Sequence, residues 1–421
     1  MPTDAYRCGD RRSTVQTDRA VASSAIVTVE KRAAKHVPAA MRQMLALDDF
    51  EAAARRYLPR PVFGYVSGAS ETGASFLDNR KAFADDSFVP RILRNVGNRS
   101  QATSLFDVSY AHPFGISPMG LSALAAFDGD VALARTAGTM RIPSILSATS
   151  LTKLERVARE GGSRWFQAYL PGEADRIDAM VDRVAAAGFE TFVLTVDVPV
   201  AANRENNVRN GFNAPLQPSL GLAWQGLTHP RWLVGTALRT LLRHGMPHFE
   251  NMDAGRGPPI LSRNLVRALG KRDQLGWEHV DRIRARWKGR LVLKGILSPE
   301  DAHLAREAGV DGIIVSNHGG RQLDGAISPL RMLAEIVERS GEMPVMLDSG
   351  VRRGTDVLKA LALGARFVFV GRPFLYAAAV FGEAGVIHAA NLLVDEIDRD
   401  MALLGVRDLA ELSPSFLRRV S

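Results

Sequence analysis

Residues 311–330, DGIIVSNHGGRQLDGAISPL, decide how the rest of the chain is read. Ile313, Ile314 and Val315 place three β-branched apolar side chains in a row, the pattern of a short strand buried on both faces. The apolar run ends at Ser316-Asn317-His318-Gly319-Gly320-Arg321, so a polar cluster is expected where the strand stops. His318 is the side chain here whose unperturbed pKa lies near neutral pH, and Arg321 is a permanent cation able to grip a carboxylate through two parallel hydrogen bonds. Gly319 and Gly320 let the backbone turn sharply and let a ligand come close. A base, an anion clamp and room for a flat ligand thus fall within six residues.

The same rhythm extends outward in both directions. Short apolar runs at 113–117, 143–147, 165–169, 191–195, 291–294, 312–316, 345–348 and 367–371 alternate with helical patterns. Eight such strands predict an α/β fold, a (β/α)8 TIM barrel, with an amino-terminal helical segment in front of it. In that segment DDFEAAARRY (48–57) reads as a helix with Asp48 as N-cap, stopped by Pro59 and Pro61. Chemistry in such barrels sits at the carboxyl ends of the strands. Those ends carry Pro118-Met119-Gly120, Ser147, Gln167 with Tyr169, Thr195 with Asp197, Lys294, His318 with Arg321, Asp348 through Arg352, and Gly371-Arg372. The last two groups, in DSGVRRG and VGRP, follow strands seven and eight, where glycine amides and a helix N-terminus commonly hold phosphate.

Composition narrows the classes. The chain has 421 residues, 46% of them hydrophobic, and a net charge of +8. That is ample for a barrel with insertions. The basic excess is scattered, with no basic run and no nucleic-acid motif, so DNA and RNA are not expected partners; anionic substrates or anionic lipid suit it better. Cys8 is the sole cysteine, which rules out an intrachain disulfide framework and a cysteine zinc site and fits a reducing compartment. Residues 1–42 lack periodicity and read as a disordered extension, leaving 43–415 as the folded domain. No GxGxxG follows a strand, which argues against a Rossmann nicotinamide site.

The string SNHGGRQLDG resembles, almost letter for letter, the active-site signature of the FMN-dependent 2-hydroxy acid dehydrogenases and oxidases, and the resemblance runs from about residue 44 to 415. It implies FMN as cofactor and oxidation of an L-2-hydroxy acid to the 2-oxo acid. His318 is then the general base, Asp197 orients its imidazole, Arg204 and Arg321 bind the substrate carboxylate, and Tyr65 and Tyr169 hold substrate oxygens. Lys294 falls beside the flavin's N1–O2 edge. Further FMN contacts fall on Ser147, Gln167, Thr195, Asp348, Ser349, Gly350, Arg352, Gly371 and Arg372, with the backbone of Pro118, Met119 and Gly120 against the ring. Met119 stands where many relatives have threonine. Gly120 follows the dehydrogenases, where oxidases tend to have alanine, and so points to a quinone or another carrier, with an O2-using hydroxy acid oxidase as the alternative. AISPL and RHGMP look like (S)-mandelate dehydrogenases, whereas THP and GGRQLDG are shared with bacterial L-lactate dehydrogenases, so both substrates stay open. Family habit implies a homotetramer. Two readings compete outside the family: Lys294 as an aldolase-type Schiff base, and a catalytically dead scaffold.

About ninety-five residues separate strands four and five, so 212–270 is an insertion on the active-site side. Within it RWLVGTALRTLLRHGM (231–246) reads as a helix with Arg239 and Arg243 on one face and Leu233, Val234, Ala237 and Leu241 on another, flanked by Trp224 and Trp232. This describes an interfacial membrane helix or a soluble lid. The resemblance of THPRW and RHGMP to the membrane-associated (S)-mandelate dehydrogenases favours the former, implying a cytoplasmic protein peripheral on the cytoplasmic face of the inner membrane.

Overall fold

Eight short strands, buried along most of their length, carry the architecture: β1 (Phe114–Ile116), β2 (Ile145–Ser147), β3 (Trp165–Ala168), β4 (Thr191–Thr195), β5 (Arg290–Ile296), β6 (Gly312–Val315), β7 (Val345–Leu347) and β8 (Phe367–Val370). The computed structural model describes residues 38–162, 164–212, 219–262 and 271–420. All eight strands are parallel, in the order β1-β8-β7-β6-β5-β4-β3-β2. The seam between β1 and β2 is closed by a parallel bridge between Ile116 and Ser144, the Ile116 N–H donating to the Pro143 carbonyl at 2.8 Å. This is the TIM barrel that the apolar rhythm predicts.

The crossover helices are α1 (Gly129–Met140), α2 (Leu154–Ala158), α3 (Ala174–Ala186), α4 (Trp277–Arg286), α5 (Pro299–Glu307), α6 (Pro329–Ser340), α7 (Gly354–Ala362) and α8 (Arg372–Leu404). Their starts follow local chemistry. Ser298 accepts from the Glu300 and Asp301 N–H groups ahead of α5, and Pro329 opens α6, where its missing N–H costs nothing. α6 buries Leu330, Leu333 and Ile336 at helical spacing. By length and composition α8 could cross a membrane, but it turns at Gly382 (φ 62°) and sends Phe374, Leu375, Val386, Leu393 and Ile397 into the core.

A hairpin, Thr103–Leu105 with Val108–Tyr110, plugs the amino-terminal end of the barrel. Leu105, Phe106 and Tyr110 pack on the interior cluster of Trp165, Val193, Val292, Ile314, Met346, Phe367 and Phe369. The Phe106–Trp165 and Tyr110–Phe367 ring centroids lie 5.7 and 5.4 Å apart. With that end filled, the polar rim at the other end is the accessible mouth.

The chain divides into two compact units, Met1–Leu45 and Ala46–Ser421. In the first, the described part contains the short helix Ala39–Arg42, and residues 1–37 of the expected extension lie outside the described residues. In the second, the predicted helix is present as Asp49–Tyr57 with Asp48 at its N-cap position, but the Asp48 side chain makes no capping bond. The Ala46 N–H donates to the Asp49 carboxylate (2.9 Å), while the Asp48 carboxylate pairs with Arg80 at 3.1 Å and Arg352 at 3.3 Å. Two cations outbid the helix end for it. The two prolines end that helix and start the next, Arg60–Ser67, which carries Tyr65. The last strand, Leu417–Arg419, pairs antiparallel with Asp86–Phe88.

In the insertion, helix Leu220–Thr228 is followed by Pro230–Trp232, a π-helical stretch Leu233–Leu238 and helix Arg239–His244. The sequence places Trp224 and Trp232 alike at its flanks. The structure separates them: Trp232 Nε1 donates to the Leu124 carbonyl at 2.8 Å, anchoring the segment, while Trp224 is exposed together with Leu220, Leu227, Val234, Leu241 and Leu242. Residues 213–218 and 263–270 lie outside the described residues.

β5 slips register between Lys294 and Ile296, and Gly295 forms the bulge at φ 109°. A Cβ there would lie 2.6 Å from the Asp197 Cβ. The bulge therefore turns Lys294 into the mouth and clears room for Asp197. Gly295→Ala is expected to destabilise the protein by roughly 1–3 kcal/mol through backbone strain and collision, read as a lower thermal midpoint.

Candidate active site

β6 delivers His318 in a left-handed backbone conformation (φ 58°), an uncommon state that its surroundings must enforce. The His318 N–H donates to Ser316 Oγ (3.0 Å), which also accepts from Lys294 Nζ (2.8 Å). Asn317 exchanges two amide bonds with Asn79, at 2.8 and 2.7 Å, pinning the loop to helix Ala74–Asp85. A Cβ on Gly320 would sit 2.5 Å from the Phe76 nitrogen, so the turn closes only with glycine.

The imidazole is oriented at both nitrogens. Nδ1 lies 3.0 and 3.2 Å from the two Asp197 oxygens, and Nε2 lies 3.1 Å from the Tyr169 hydroxyl. With Nδ1–H donated to the carboxylate, Nε2 is left as the basic atom, accepting from Tyr169. Burial, with Lys294 and Arg204 behind it, outweighs the pull of Asp197 and lowers the His318 pKa, so the ring is a neutral acceptor at neutral pH. Burial pulls the other way on Asp197, but His318 and Lys294 hold that carboxyl below its ordinary value. Burial raises Tyr169, which stays protonated, and Arg272 stacks over its ring at 4.8 Å.

Two guanidinium groups stand next to the base. Arg321 donates to the carbonyls of Tyr65 (2.8 Å) and Gly68 (2.9 Å), at the carboxyl end of helix Arg60–Ser67, and lies 5.0 Å from the Tyr65 ring. Arg204 donates to the Arg321 carbonyl (3.2 Å) and to Gln322 Oε1 (2.7 Å), and Gln322 in turn donates to the Asp197 carbonyl (3.0 Å). Tyr65 stacks on Phe212 with centroids 4.5 Å apart. Burial first, then repulsion from Arg204, lowers Arg321 to about 9. It remains a cation, held among carbonyls rather than carboxylates.

The remaining rim residues line a second region. Ser147 Oγ donates to Gln167 Oε1 (2.9 Å) and meets Thr149 Oγ1 (3.0 Å). Lys294 Nζ is 3.0 Å from Asp348, which also accepts from Ser117 (3.2 Å) and Ser349 (3.0 Å). Pro118 and Met119 lead into Gly120, where a Cβ would fall 2.1 Å from Thr149 Oγ1; the Met119 sulfur lies 3.8 Å from where Gly371 would carry a Cβ. Ser349 and Gly350 are both left-handed, and a Cβ on Gly350 would meet the Asn79 carbonyl at 2.3 Å. Arg352 donates to its neighbour's carbonyl besides its contact with Asp48, and Arg372 donates to the carbonyls of Val66, Gly68 and Gly319. Burial lowers both, Arg372 to about 10.

This region fits a flavin mononucleotide. Gln167 Nε2 and Thr195 Oγ1 are buried without any partner, one a donor and the other able to donate or accept, as a heteroatom-edged ring requires. Lys294 supplies a buried cation at one edge, and Arg352 with Arg372 supplies positive charge after the last two strands for a phosphate.

Some of the machinery had no role assigned from sequence. Gln322, next to Arg321 in the motif, ties Arg204 to Asp197. Ser316 joins Lys294 to the base loop. Asn79 and Arg272 come from distant segments with no local signal, and Thr149 stands two residues past Ser147.

A parallel barrel whose rim carries a carboxylate-held imidazole, two guanidinium groups and buried polar atoms without partners fits a flavin-dependent oxidoreductase. The profile of the FMN-dependent dehydrogenases matches residues 54–419, and the chain belongs to that family, with FMN as its cofactor. It is 37% identical over 378 residues to (S)-mandelate dehydrogenase of Pseudomonas putida, covering 90% of this chain and 94% of that one. It is 38% identical over 381 residues to L-lactate dehydrogenase of Xanthomonas euvesicatoria pv. vesicatoria, covering 89% and 97%. Among solved structures, the monotopic membrane protein (S)-mandelate dehydrogenase superposes with a TM-score of 0.84 at 37% identity, covering 90% and 100% of the two chains. Mandelate oxidase with (S)-2-phenylpropionate does so with a TM-score of 0.74 at 35% identity, covering 89% and 98%.

Thr195→Val removes a hydroxyl that has no partner within the protein. It should leave the thermal midpoint of the apoprotein unchanged or slightly raised while weakening FMN binding about tenfold, the worth of one hydrogen bond, measured by flavin fluorescence titration.

Proposed function

We propose that this chain oxidises an L-2-hydroxy acid of the mandelate or lactate type to its 2-oxo acid and passes the electrons to a quinone or another carrier. The observation that carries the reading is the imidazole of His318, locked by Asp197 so that Nε2 faces the mouth beside Tyr169, Arg204 and Arg321. FMN, when bound, supplies the two-electron acceptor that no side chain can provide.

Arg321 and Arg204 hold the substrate carboxylate, an anion that relieves the repulsion between them. Tyr65 and Tyr169 fix the substrate's remaining oxygens, orienting the reacting carbon. The proton lost in the oxidation, whether from the α-carbon or from the hydroxyl, goes to His318 Nε2. Asp197 stabilises the imidazolium that results and keeps Nδ1 protonated throughout. Gln322 couples the clamp to this pair through its hydrogen bonds with Arg204 and the Asp197 main-chain carbonyl.

Anaerobic mixing of the holoenzyme with (S)-mandelate, L-lactate and glycolate tests the reading. At least one of the first two should bleach the flavin absorbance. His318→Asn should retain bound FMN yet bleach on the order of 10²–10⁴-fold more slowly. Bleaching at the wild-type rate in that variant would remove the role assigned to His318.

The insertion is the membrane contact in this reading. Its exposed apolar side chains project beside Arg231, Arg239 and Arg243, which suits an anionic bilayer surface. Replacing Trp224 and Leu242 with serine should weaken association with anionic vesicles on the order of 10²-fold or more, each buried side chain contributing ~1.5–3 kcal/mol, measured by flotation.

A further inference from the structure

Tyr169, whose hydroxyl faces the base, carries on its ring a cation that has no part in the clamp. Arg272 opens a short turn, Arg272–Gln274, immediately ahead of α4. Its neighbour fixes it there: the Gly172 N–H donates to the Lys271 carbonyl at 2.9 Å, and Lys271 Nζ pairs with Glu173 at 3.0 Å. The approach is close, since a Cβ on Gly172 would lie 2.9 Å from that same carbonyl oxygen. This tether joins the segment ahead of α4 to the loop after β3, three residues beyond Tyr169, and the Arg272 guanidinium stands 4.8 Å from the centre of the Tyr169 ring.

Ion pairing does not explain the position. Two acids beside Arg176 are taken by other cations, Glu173 by Arg176 and Lys271 and Asp253 by Arg176. Among the described residues the Arg272 side chain makes no hydrogen bond and no ion pair, and the Tyr169 ring is what it rests on. Burial lowers its pKa to about 10, with Tyr169 opposing and Arg176 adding to the fall, so it stays a cation at neutral pH. A half-buried guanidinium without a carboxylate costs stability, which the face of one tyrosine offsets only in part. What the charge does to the phenol accounts for its placement.

A cation over a phenol ring draws electron density from it and makes the O–H the stronger donor. Burial and then Asp197 raise the Tyr169 pKa, and Arg204 and Arg272 work against them. Tyr169 gives its hydrogen bond to His318 Nε2 at 3.1 Å, the two ring centroids lying 6.2 Å apart. A donor on Nε2 favours the neutral imidazole. Asp197, Lys294 and Arg204 act on His318 directly; Arg272 reaches it through the phenol.

We propose that Arg272 is a positioning residue of the reaction: its guanidinium holds the Tyr169 ring and strengthens the hydroxyl as a donor, to His318 Nε2 in the free enzyme and to the substrate oxygen once substrate is bound. The second half rests on the reading above, in which Tyr169 fixes a substrate oxygen and a neutral His318 takes the proton.

The test follows the ring signals of His318 against pH by NMR, in oxidised holoenzyme labelled with 13C-histidine and assigned by their loss in His318→Asn. Arg272→Met keeps the aliphatic stem and removes the charge. It should raise the His318 midpoint by roughly half a pH unit and leave the thermal midpoint unchanged or higher. It should also slow anaerobic bleaching of the flavin by hydroxy acid about tenfold at saturation, with the half-saturating concentration unchanged. Arg272→Lys should recover most of both losses. In a Tyr169→Phe background Arg272→Met should move neither the midpoint nor the rate any further, because the hydroxyl through which Arg272 acts is gone. Arg272→Gln takes the place of Arg272→Met if that protein loses its flavin. A His318 midpoint that stays where it is when the charge is removed, or that moves equally with and without the Tyr169 hydroxyl, overturns the proposal. Failure of every hydroxy acid to bleach the wild-type flavin would overturn the earlier reading instead, and the His318 midpoint would still decide this one.

Discussion

The mouth of this barrel holds more buried positive charge than its carboxylates neutralise. Asp348 faces Lys294 and Asp197 faces the neutral ring of His318, but Arg321 and Arg372 are surrounded by backbone carbonyls and by one another. Carbonyl dipoles at the end of helix Arg60–Ser67 hold these guanidinium groups in place without cancelling their charge. A full carboxylate partner would stabilise the apoprotein and close the site to anions. The depressed values of Arg321 and Arg372 mark the positive charge that the protein leaves uncompensated. Anionic ligands are what this chemistry calls for.

Much of this was legible before any coordinates. The barrel could be read because a strand buried on both faces has only one sequence solution, a short apolar run, and eight of them recur. The rim residues could be read because each run breaks off at a polar residue where the strand ends. What escaped depends on contacts between distant segments. Asp48 looks like a helix cap until Arg80 and Arg352, from far along the chain, compete for its carboxylate. Trp232 and Trp224 are equivalent in any helical pattern, and only the Leu124 carbonyl distinguishes the anchor from the exposed ring. Gln322 sits inside the most legible stretch, yet its role requires knowing that Arg204 and Asp197 flank it on either side.

The glycines show how the site is made exact without being made rigid everywhere. At Gly295, Gly320 and Gly350 the neighbouring chain comes too close for any Cβ, and at all three the backbone is also left-handed. These positions let three separate loops converge more tightly than side chains would permit. The insertion follows another rule, tied down by Trp232 and presenting its apolar residues outward, so its composition answers to what it touches rather than to the chemistry.

The hairpin that fills the amino-terminal end of the barrel separates two kinds of evolutionary freedom. Leu105, Phe106 and Tyr110 pack on the interior cluster, with Arg290 over the Phe106 ring, far from the rim residues, so variation there bears on thermal tolerance rather than on selectivity. Variation at the opposite rim does the reverse. A lineage can therefore adapt to a hotter habitat and to a new carbon source through substitutions at opposite poles of the molecule, with neither adjustment undoing the other.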